Sequence, residues 1–121
     1  MKRARQLTVC LPNQPGQMAR ISRALADAGV SIRALSVSDA TETSVVRLVV
    51  DNPVAGTKSL EALNLAVVTT PVRVVELPDK IGALAEMTDR LARRKVNVNF
   101  IYGSAGEGGT PVIIVEAKSQ K

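Results

Sequence analysis

Residues 11–32 read LPNQPGQMARISRALADAGVSI, and residues 77–98 read LPDKIGALAEMTDRLARRKVNV. The two stretches align without a gap at an offset of 66 residues, and seven of the 22 positions are identical. The same offset carries three later apolar residues onto three others: Val46 onto Val112, Leu48 onto Ile114 and Val49 onto Val115. A repeat of this length indicates that one supersecondary unit occurs twice. The sequence therefore predicts two related modules.

The first copy predicts a complete set of strands and helices. Met18, Ile21 and Leu25 recur at helical spacing, as in an amphipathic helix, and Gly29 follows as a C-terminal glycine. Short runs rich in β-branched residues, bounded by proline or polar turns, predict strands. The predicted strands are residues 7–11, 30–38, 44–50 and 66–70, and a second helix is predicted over residues 54–63.

This order predicts an α+β fold of the ferredoxin-like βαββαβ type, with both helices on one face of an antiparallel sheet. The second copy repeats only its first part, with predicted strands at residues 72–77, 96–104 and 110–117 and a helix over residues 81–95. We therefore expect two modules in tandem. Residues 1–70 form the complete unit, and residues 71–121 form a unit truncated to βαββ.

Composition narrows the class of protein. Of the 121 residues, 45% are hydrophobic, which is enough for a core, and no apolar run approaches the roughly 20 residues that span a bilayer. The first residues include too short an apolar stretch for a signal peptide, so we expect a cytoplasmic protein with no membrane partner. Cys10 is the single cysteine and histidine is absent. No disulfide within the chain, no usual metal site and no cofactor are therefore expected.

An enzyme is not expected either. Cys10 is the obvious nucleophile, but no histidine activates it, and on a strand it faces away from Val9 and Leu11. The net charge of +5 raises the alternative of a basic nucleic-acid-binding protein of ferredoxin-like fold. Such sheets stack bases on aromatic side chains, and only Phe100 and Tyr102 are available. Nucleic acid is thus a disfavoured partner.

The first copy resembles the ACT domain of amino-acid-responsive regulatory proteins. That family has a strand leading into an Asn/Asp-x-Pro-Gly turn, a helix reading x-Leu/Met-Ala-x-Ile, and then Gly-Val-Ser/Asn-Ile. The matching residues of the first copy are Asn13, Pro15, Gly16, Met18, Ala19, Ile21, Gly29, Val30, Ser31 and Ile32. The second copy keeps Asp79, Gly82, Leu84, Ala85, Val96, Asn97 and Val98. The layout as a whole is similar to small bacterial proteins made of two ACT modules.

The loop of the first copy has the chemistry that an amino acid ligand needs. Backbone N–H groups at the start of a helix, at the positive end of its dipole, favour a carboxylate. Gly16 leaves room for a ligand, and Asn13 either accepts from the ligand ammonium or caps the turn. The resemblance implies that ligands lie between this loop and the next strand, often at an interface between modules. The residues expected to bind here are Asn13, Gln14, Pro15, Gly16, Gln17, Met18, Ser31, Ser36 and Ser38.

The loop of the second copy departs from the family pattern. Ile81 stands where proline is usual, Lys95 where glycine is usual, and Asp79 where the first copy has an amide. A carboxylate at that point repels a ligand carboxylate, so the two sites should not be equivalent. Asn97 and Asn99 share a face of their strand, where they either line a site or face solvent. The candidate residues of this copy are Asp79, Gly82, Ala83, Leu84, Asn97 and Asn99.

The function expected from the resemblance is that of a small regulatory protein that senses a free amino acid in allosteric regulation. The alternative is a regulatory subunit that acts in trans on an amino-acid biosynthetic enzyme. Acetolactate synthase is an example, because its small subunit also begins with an ACT module. The sequence does not separate these two alternatives.

The truncated second copy predicts a homodimer or a larger assembly. In a ferredoxin-like sheet the fourth strand lies beside the first, so the edge of residues 72–77 should be unpaired and the apolar face that includes Val112 and Ile114 uncovered. Exposed strand edges pair with other strands. We expect a module of the same chain or of a partner chain to cover both, and residues 66–70 are a candidate strand.

Overall fold

The computed structural model of the chain describes residues 2–105 and 111–119. Thr110, which the sequence assigned to the last strand, lies outside the described residues. In this part of the chain, no helix is long and apolar enough to cross a membrane. The elements are β1 (Lys2–Pro12), α1 (Gln17–Asp27), β2 (Ile32–Ala40), β3 (Thr43–Val50), α2 (Pro53–Glu61), β4 (Val68–Glu76), α3 (Ala83–Arg93), β5 (Val96–Ala105) and β6 (Pro111–Ser119).

The chain divides into two compact units. The N-terminal unit is Arg5–Thr70, and the C-terminal unit is Pro71–Lys121 together with Met1–Ala4. In the N-terminal unit the strand order is β2-β3-β1-β4, and β3 pairs antiparallel with both β1 and β2. The α+β fold with a sheet of the βαββαβ type, predicted from the sequence, is confirmed for this unit.

The core of the N-terminal unit lies between the sheet and its two helices. Leu7, Val9 and Leu11 alternate along β1 and are buried, whereas Cys10 between them is exposed, as the strand period predicts. Helix α2 approaches the sheet closely through Gly56, where an added Cβ would lie 3.1 Å from Leu7 Cδ1. Glycine at this position therefore allows the close approach. The buried core residues are Leu7, Val9, Leu11, Ile21, Leu25, Val30, Val46, Leu48, Val50 and Leu60.

The C-terminal unit has its own core. Its strand order is β4-β6-β5, and both pairs are antiparallel. Helix α3 contributes Ala83 and Met87, which are buried with Leu77 at the end of β4. Partly buried Val75, Leu91 and Val98 pack around these three residues.

The two units repeat unusual backbone conformations at the same offset of 66. Gly16 and Gly82 precede their helices with φ of +87° and +88°. Gly29 follows α1 with φ of +73°, and Lys95 follows α3 with φ of +56°. The β2–β3 and β5–β6 ladders each contain a register shift, between Ile32 and Ala34 and between Val98 and Phe100. The repeat read from the sequence is therefore also a repeat of local geometry.

The offset does not hold for the last strand. Val9 pairs with Val46 in the N-terminal unit, whereas its counterpart Val75 pairs with Ile113. The counterpart of Val46 is thus Ile113, at an offset of 67, and the alignment of Val46 with Val112 was wrong by one residue. A one-residue slip exchanges the faces of a strand, so Ile114 lies on the sheet face opposite to Val75 and α3.

The edge of residues 72–77 is paired by a strand of the same chain, which is one of the two alternatives expected, but the partner is β1 and not residues 66–70. Residues 66–70 and 72–77 were predicted as two strands, but β4 runs without interruption from Val68 to Glu76. Its neighbours are β6 and β1, and Lys2–Ala4 at the start of β1 belong to the same unit as Pro71–Glu76. Ile114 is buried, with 1% of its surface exposed, but it lies on the face away from α3, so the expected lack of cover on the helix face stays a prediction. The homodimer stays a prediction, but an unpaired strand edge no longer supports it. Light scattering that shows a stable 12.8 kDa particle would contradict the homodimer.

Lys95 gives a prediction about stability. A residue with a Cβ is strained at positive φ, and the repeat places glycine at the equivalent position, Gly29. We expect Lys95→Gly to raise the free energy of unfolding by about 0.5–1 kcal/mol and Gly29→Lys to lower it by about 1–2 kcal/mol. Urea unfolding followed by circular dichroism measures both. A loss of stability in Lys95→Gly would contradict the assigned strain.

Candidate functional site

Helix α1 begins without a side-chain cap. Gly16 is its N-cap in the left-handed conformation, no side chain accepts from the first turn, and that turn carries no acidic residue. Helix α2 is different, because Asn52 Oδ1 accepts a hydrogen bond from the Ala55 N–H at 3.1 Å. An uncapped helix start presents N–H donors at the positive end of the helix dipole. The N-terminus of α1 is therefore suited to an anionic group.

The loop before α1 is held by the turn between β2 and β3. Asn13 Nδ2 donates to Asp39 Oδ1 at 3.1 Å and to the Thr41 carbonyl oxygen at 3.2 Å. Thr41 N–H also donates to Asp39 Oδ1, at 3.1 Å, and Asn13 N–H donates to the Glu42 carbonyl oxygen at 3.0 Å. Asn13 therefore ties the loop to the turn through its NH₂ group rather than capping α1.

These contacts place opposite electrostatic features near each other. Asp39 brings a carboxylate to the loop, and the Oδ1 atom of Asn13 is a second acceptor there. The start of α1 brings N–H donors that favour a negative charge. A small molecule with an ammonium and a carboxylate close together matches both features.

The sequence of residues 5–63 matches the family of the ACT domain. Residues 5–63 are an ACT domain. Among proteins of curated function, none has a sequence that matches this chain significantly.

Solved structures share the fold of this protein over nearly the whole chain. Protein BT0572 from Bacteroides thetaiotaomicron is 24% identical, with a TM-score of 0.87 over 95% of this chain and 79% of that one. The ligand-free regulatory subunit of aspartate kinase from Thermus thermophilus is 16% identical, with a TM-score of 0.70 over 93% and 81%. Aspartokinase III from E. coli, in complex with lysine and aspartate, is 16% identical, with a TM-score of 0.55 over 95% and 28%.

The loop residues predicted from the sequence lie together at one end of the ACT domain. Gln17 N–H donates to the Gln14 carbonyl oxygen at 3.5 Å, which closes a turn through Pro15 and Gly16. Gln17 is the first residue of α1, and Met18 packs against the core. A Cβ on Gly16 would meet nothing within 4 Å, so this glycine serves the backbone conformation and leaves the space above it empty.

The three serines are not brought to this loop. Ser31 N–H donates to Asp51 Oδ1 at 2.9 Å, at the far end of β2, and Ser31 is eight steps along the strand from Asp39, roughly 26 Å. Ser36 and Ser38 pair with Arg47 and Val45, on the sheet face opposite to the helices. The register shift after Ile32 explains why the two serines face away from the helices, because it turns Leu35, Val37 and Asp39 toward the helix face.

The second loop has the same turn with different side chains. Gly82 has the conformation of Gly16, Ala83 is buried, and Leu84 and Asp79 are exposed. Asn97 Nδ2 donates to Asn99 Oδ1 at 3.1 Å, so these two amides share a face and are exposed. The counterpart of Asp39 is Ala105, which has no carboxylate. The first loop therefore combines an uncapped helix start with a carboxylate on the following strand, whereas the second copy has no carboxylate at the equivalent strand position.

Sequence reasoning missed Asp39. A signal for it exists in the sequence, since an Asp in a polar turn accepts from the backbone N–H two residues later, as Asp39 does from Thr41. The aromatic residues considered for nucleic acid, Phe100 and Tyr102, stack on each other with ring centroids 6.3 Å apart. Over the described residues, no three carboxylate or thiol side chains cluster as a metal site requires.

Proposed function

We propose that the chain is a non-catalytic regulatory protein that binds a free amino acid at the loop between β1 and α1. The proposal rests on one observation: the uncapped start of α1 and the Asp39 carboxylate both belong to this loop region, and Asn13 holds Asp39 there by a hydrogen bond. The ligand carboxylate accepts from the first N–H groups of α1. The ligand ammonium donates to Asp39 and to Asn13 Oδ1. Both charges of an α-amino acid are thereby satisfied within one small site.

The side chain of the ligand has an apolar surface beside this site. Val37 lies two residues before Asp39 on the same sheet face and is 47% exposed. Leu35, two residues further back, is 45% exposed. Covering these side chains with an aliphatic ligand would remove apolar surface from water, at about 25 cal/mol per Å². We therefore favour an aliphatic amino acid over a charged one.

The proposal assigns one ligand to each chain. Ala105 replaces Asp39 in the second copy, and Asp79 replaces Asn13, where its carboxylate repels the ligand carboxylate at the start of α3. We also propose that the C-terminal unit is a second ACT module, because it repeats the turn, the bulge and both positive-φ positions. The contribution of a second module to the ligand site stays a prediction.

A regulatory subunit acting in trans on a biosynthetic enzyme is the second candidate. It is favoured by the shared fold with the regulatory subunit of aspartate kinase from Thermus thermophilus. Both candidates require the same ligand chemistry at the loop, and they differ only in whether a separate enzyme responds.

A thermal-shift screen with each of the common amino acids tests the proposal. A ligand at 100 times its dissociation constant adds about 2.7 kcal/mol to the free energy of unfolding. We expect one or a few aliphatic amino acids to raise the melting temperature, and titration calorimetry to give one site per chain. If no amino acid shifts the melting curve at millimolar concentration, the proposal is wrong.

A further inference from the structure

A cavity of about 320 Å³ lies within the C-terminal unit, between α3 and the end of β4. This volume falls at the lower end of the range of small-molecule sites, roughly 300–1,000 Å³. Its floor is apolar and includes Leu77, Met87 and Leu91, while its rim carries four exposed charged residues. The charged residues are Glu76, Glu86, Arg90 and Arg94.

The internal repeat shows what occupies the equivalent space in the N-terminal unit. There the counterparts of the floor residues, Leu11, Ile21 and Leu25, form one core with Leu60 of α2. Arg20 Nη2 donates to the carbonyl oxygen of Leu63 at 2.7 Å, just beyond the end of α2. In the described part of the C-terminal unit, α3 is the one helix. The apolar floor is kept, and no second helix among the described residues covers it.

The rim residues have changed together. Glu76, Arg90 and Arg94 stand at the positions of the uncharged Cys10, Ala24 and Ala28, and Glu86 stands at the position of Arg20.

Glu86 argues against a helix as the occupant. A helix in the orientation of α2 would place its C-terminal carbonyl groups next to the Glu86 carboxylate. The negative end of a helix dipole is unfavourable beside a negative charge. The cavity is therefore not adapted to a helix in the orientation of α2.

The charges are separated along the cavity. Glu86, Arg90 and Arg94 follow each other at intervals of one helical turn, about 6 Å. Because α3 begins at Ala83, Glu86 lies toward the end where the chain passes from β4 to α3. Glu76 alternates with Val75 and Leu77, which pack against α3, so its carboxylate lies on the other face of the sheet. Both arginines lie toward the other end. The cavity thus has an acidic end, an apolar floor and a basic end.

We propose that this cavity binds a small zwitterion whose ammonium and carboxylate are separated by an apolar body, such as a dipeptide with aliphatic side chains. The ammonium is held by Glu86, and the carboxylate by Arg90 and Arg94, since guanidinium groups bind carboxylates in bidentate pairs. The termini of an extended dipeptide lie roughly 6 Å apart, which matches one helical turn. A free α-amino acid carries both charges on one carbon and reaches only one end.

Titration calorimetry with leucyl-leucine on the full chain tests the proposal. We expect leucyl-leucine to bind, and its N-acetyl form, its C-terminal amide and free leucine each to bind the cavity about tenfold or more weaker, because each fails to satisfy one end. Arg90→Ala and Glu86→Gln should weaken leucyl-leucine by a similar factor. Arg93→Ala and Asp89→Asn are matched controls on the same helix, outside the cavity, and should leave its affinity unchanged.

Two outcomes would overturn this assignment: no binding of leucyl-leucine at millimolar concentration, or equal losses in the cavity variants and their controls. A loss in Asp39→Asn but not in Arg90→Ala would also overturn it, because the dipeptide would then be bound at the first loop. The proposal does not depend on the amino acid site there. Failure of that site, with dipeptide binding retained, would leave this inference standing.

Discussion

Replacing Leu25 by alanine is expected to lower the free energy of unfolding by about 2–5 kcal/mol. Leu25 has 0% of its surface exposed and lies in the core that α1, α2 and the sheet share. Removing its side chain loses apolar burial and leaves a cavity, which close-packed neighbours fill only in part. A domain of this size has a total stability of roughly 5–15 kcal/mol, so the loss is a large fraction of it. Urea unfolding followed by circular dichroism measures the change.

The repeat supplies a matched control in Leu91, the counterpart of Leu25. Leu91 is only partly buried and lines the cavity beside α3, so its side chain has fewer packing partners to lose. We expect Leu91→Ala to cost about 1–2 kcal/mol, clearly less than Leu25→Ala. Equal losses at the two positions would show that the C-terminal unit packs as tightly as the N-terminal unit. The cavity assigned to it would then not persist in solution.

The fold of the N-terminal unit was predictable because its strongest signals are local. Met18, Ile21 and Leu25 share one helical face, and Gly29 takes the positive φ that a helix end requires. The register between distant strands has no such local signal. The pairing of Val75 with Ile113 depends on how many residues separate β5 from β6, and a gapless alignment carried the wrong count.

The length of β1 and β4 was missed for a related reason. The segment from Lys2 to Arg5 is basic, and a run of charges does not have the apolar alternation by which a strand is recognised. Pro71 lies within β4, and proline in a sequence is ordinarily a sign that a strand has ended. Pairing between strands therefore outweighed local preference at both places.

The loop residues of the candidate site were predictable from the sequence, but its residue on β2 was not. Asn13 and Gly16 follow from a strand-to-helix motif, which is contiguous in sequence. The contribution of β2 depends on the bulge between Ile32 and Ala34, which exchanges the faces of all later residues of that strand. The resemblance to the family pointed to Ser36 and Ser38 of this strand, whereas the bulge places Asp39 on the face of α1. Nothing in the residue types around Arg33 marks a bulge.

Asp39 is therefore the position at which the proposed ligand site is best tested. Asp39→Asn keeps an Oδ1 acceptor for Asn13 Nδ2 and the Thr41 N–H, and it removes the negative charge that the ligand ammonium needs. Hydrogen bonds to charged groups contribute about 1.5–3 kcal/mol, so the affinity for the amino acid should fall roughly 10- to 100-fold. Titration calorimetry with an amino acid found in the thermal-shift screen measures this fall.

Asp51→Asn is the matched control for this experiment. Asp51 also accepts a backbone N–H through Oδ1, from Ser31 at 2.9 Å, and its substitution changes the net charge of the protein by the same amount. It lies at the opposite end of β2, so the affinity for the amino acid should stay as in the original chain. Equal losses in both variants would point to a general effect of charge or stability. Unchanged affinity in Asp39→Asn would show that the ammonium is bound elsewhere and that Asp39 serves only the turn.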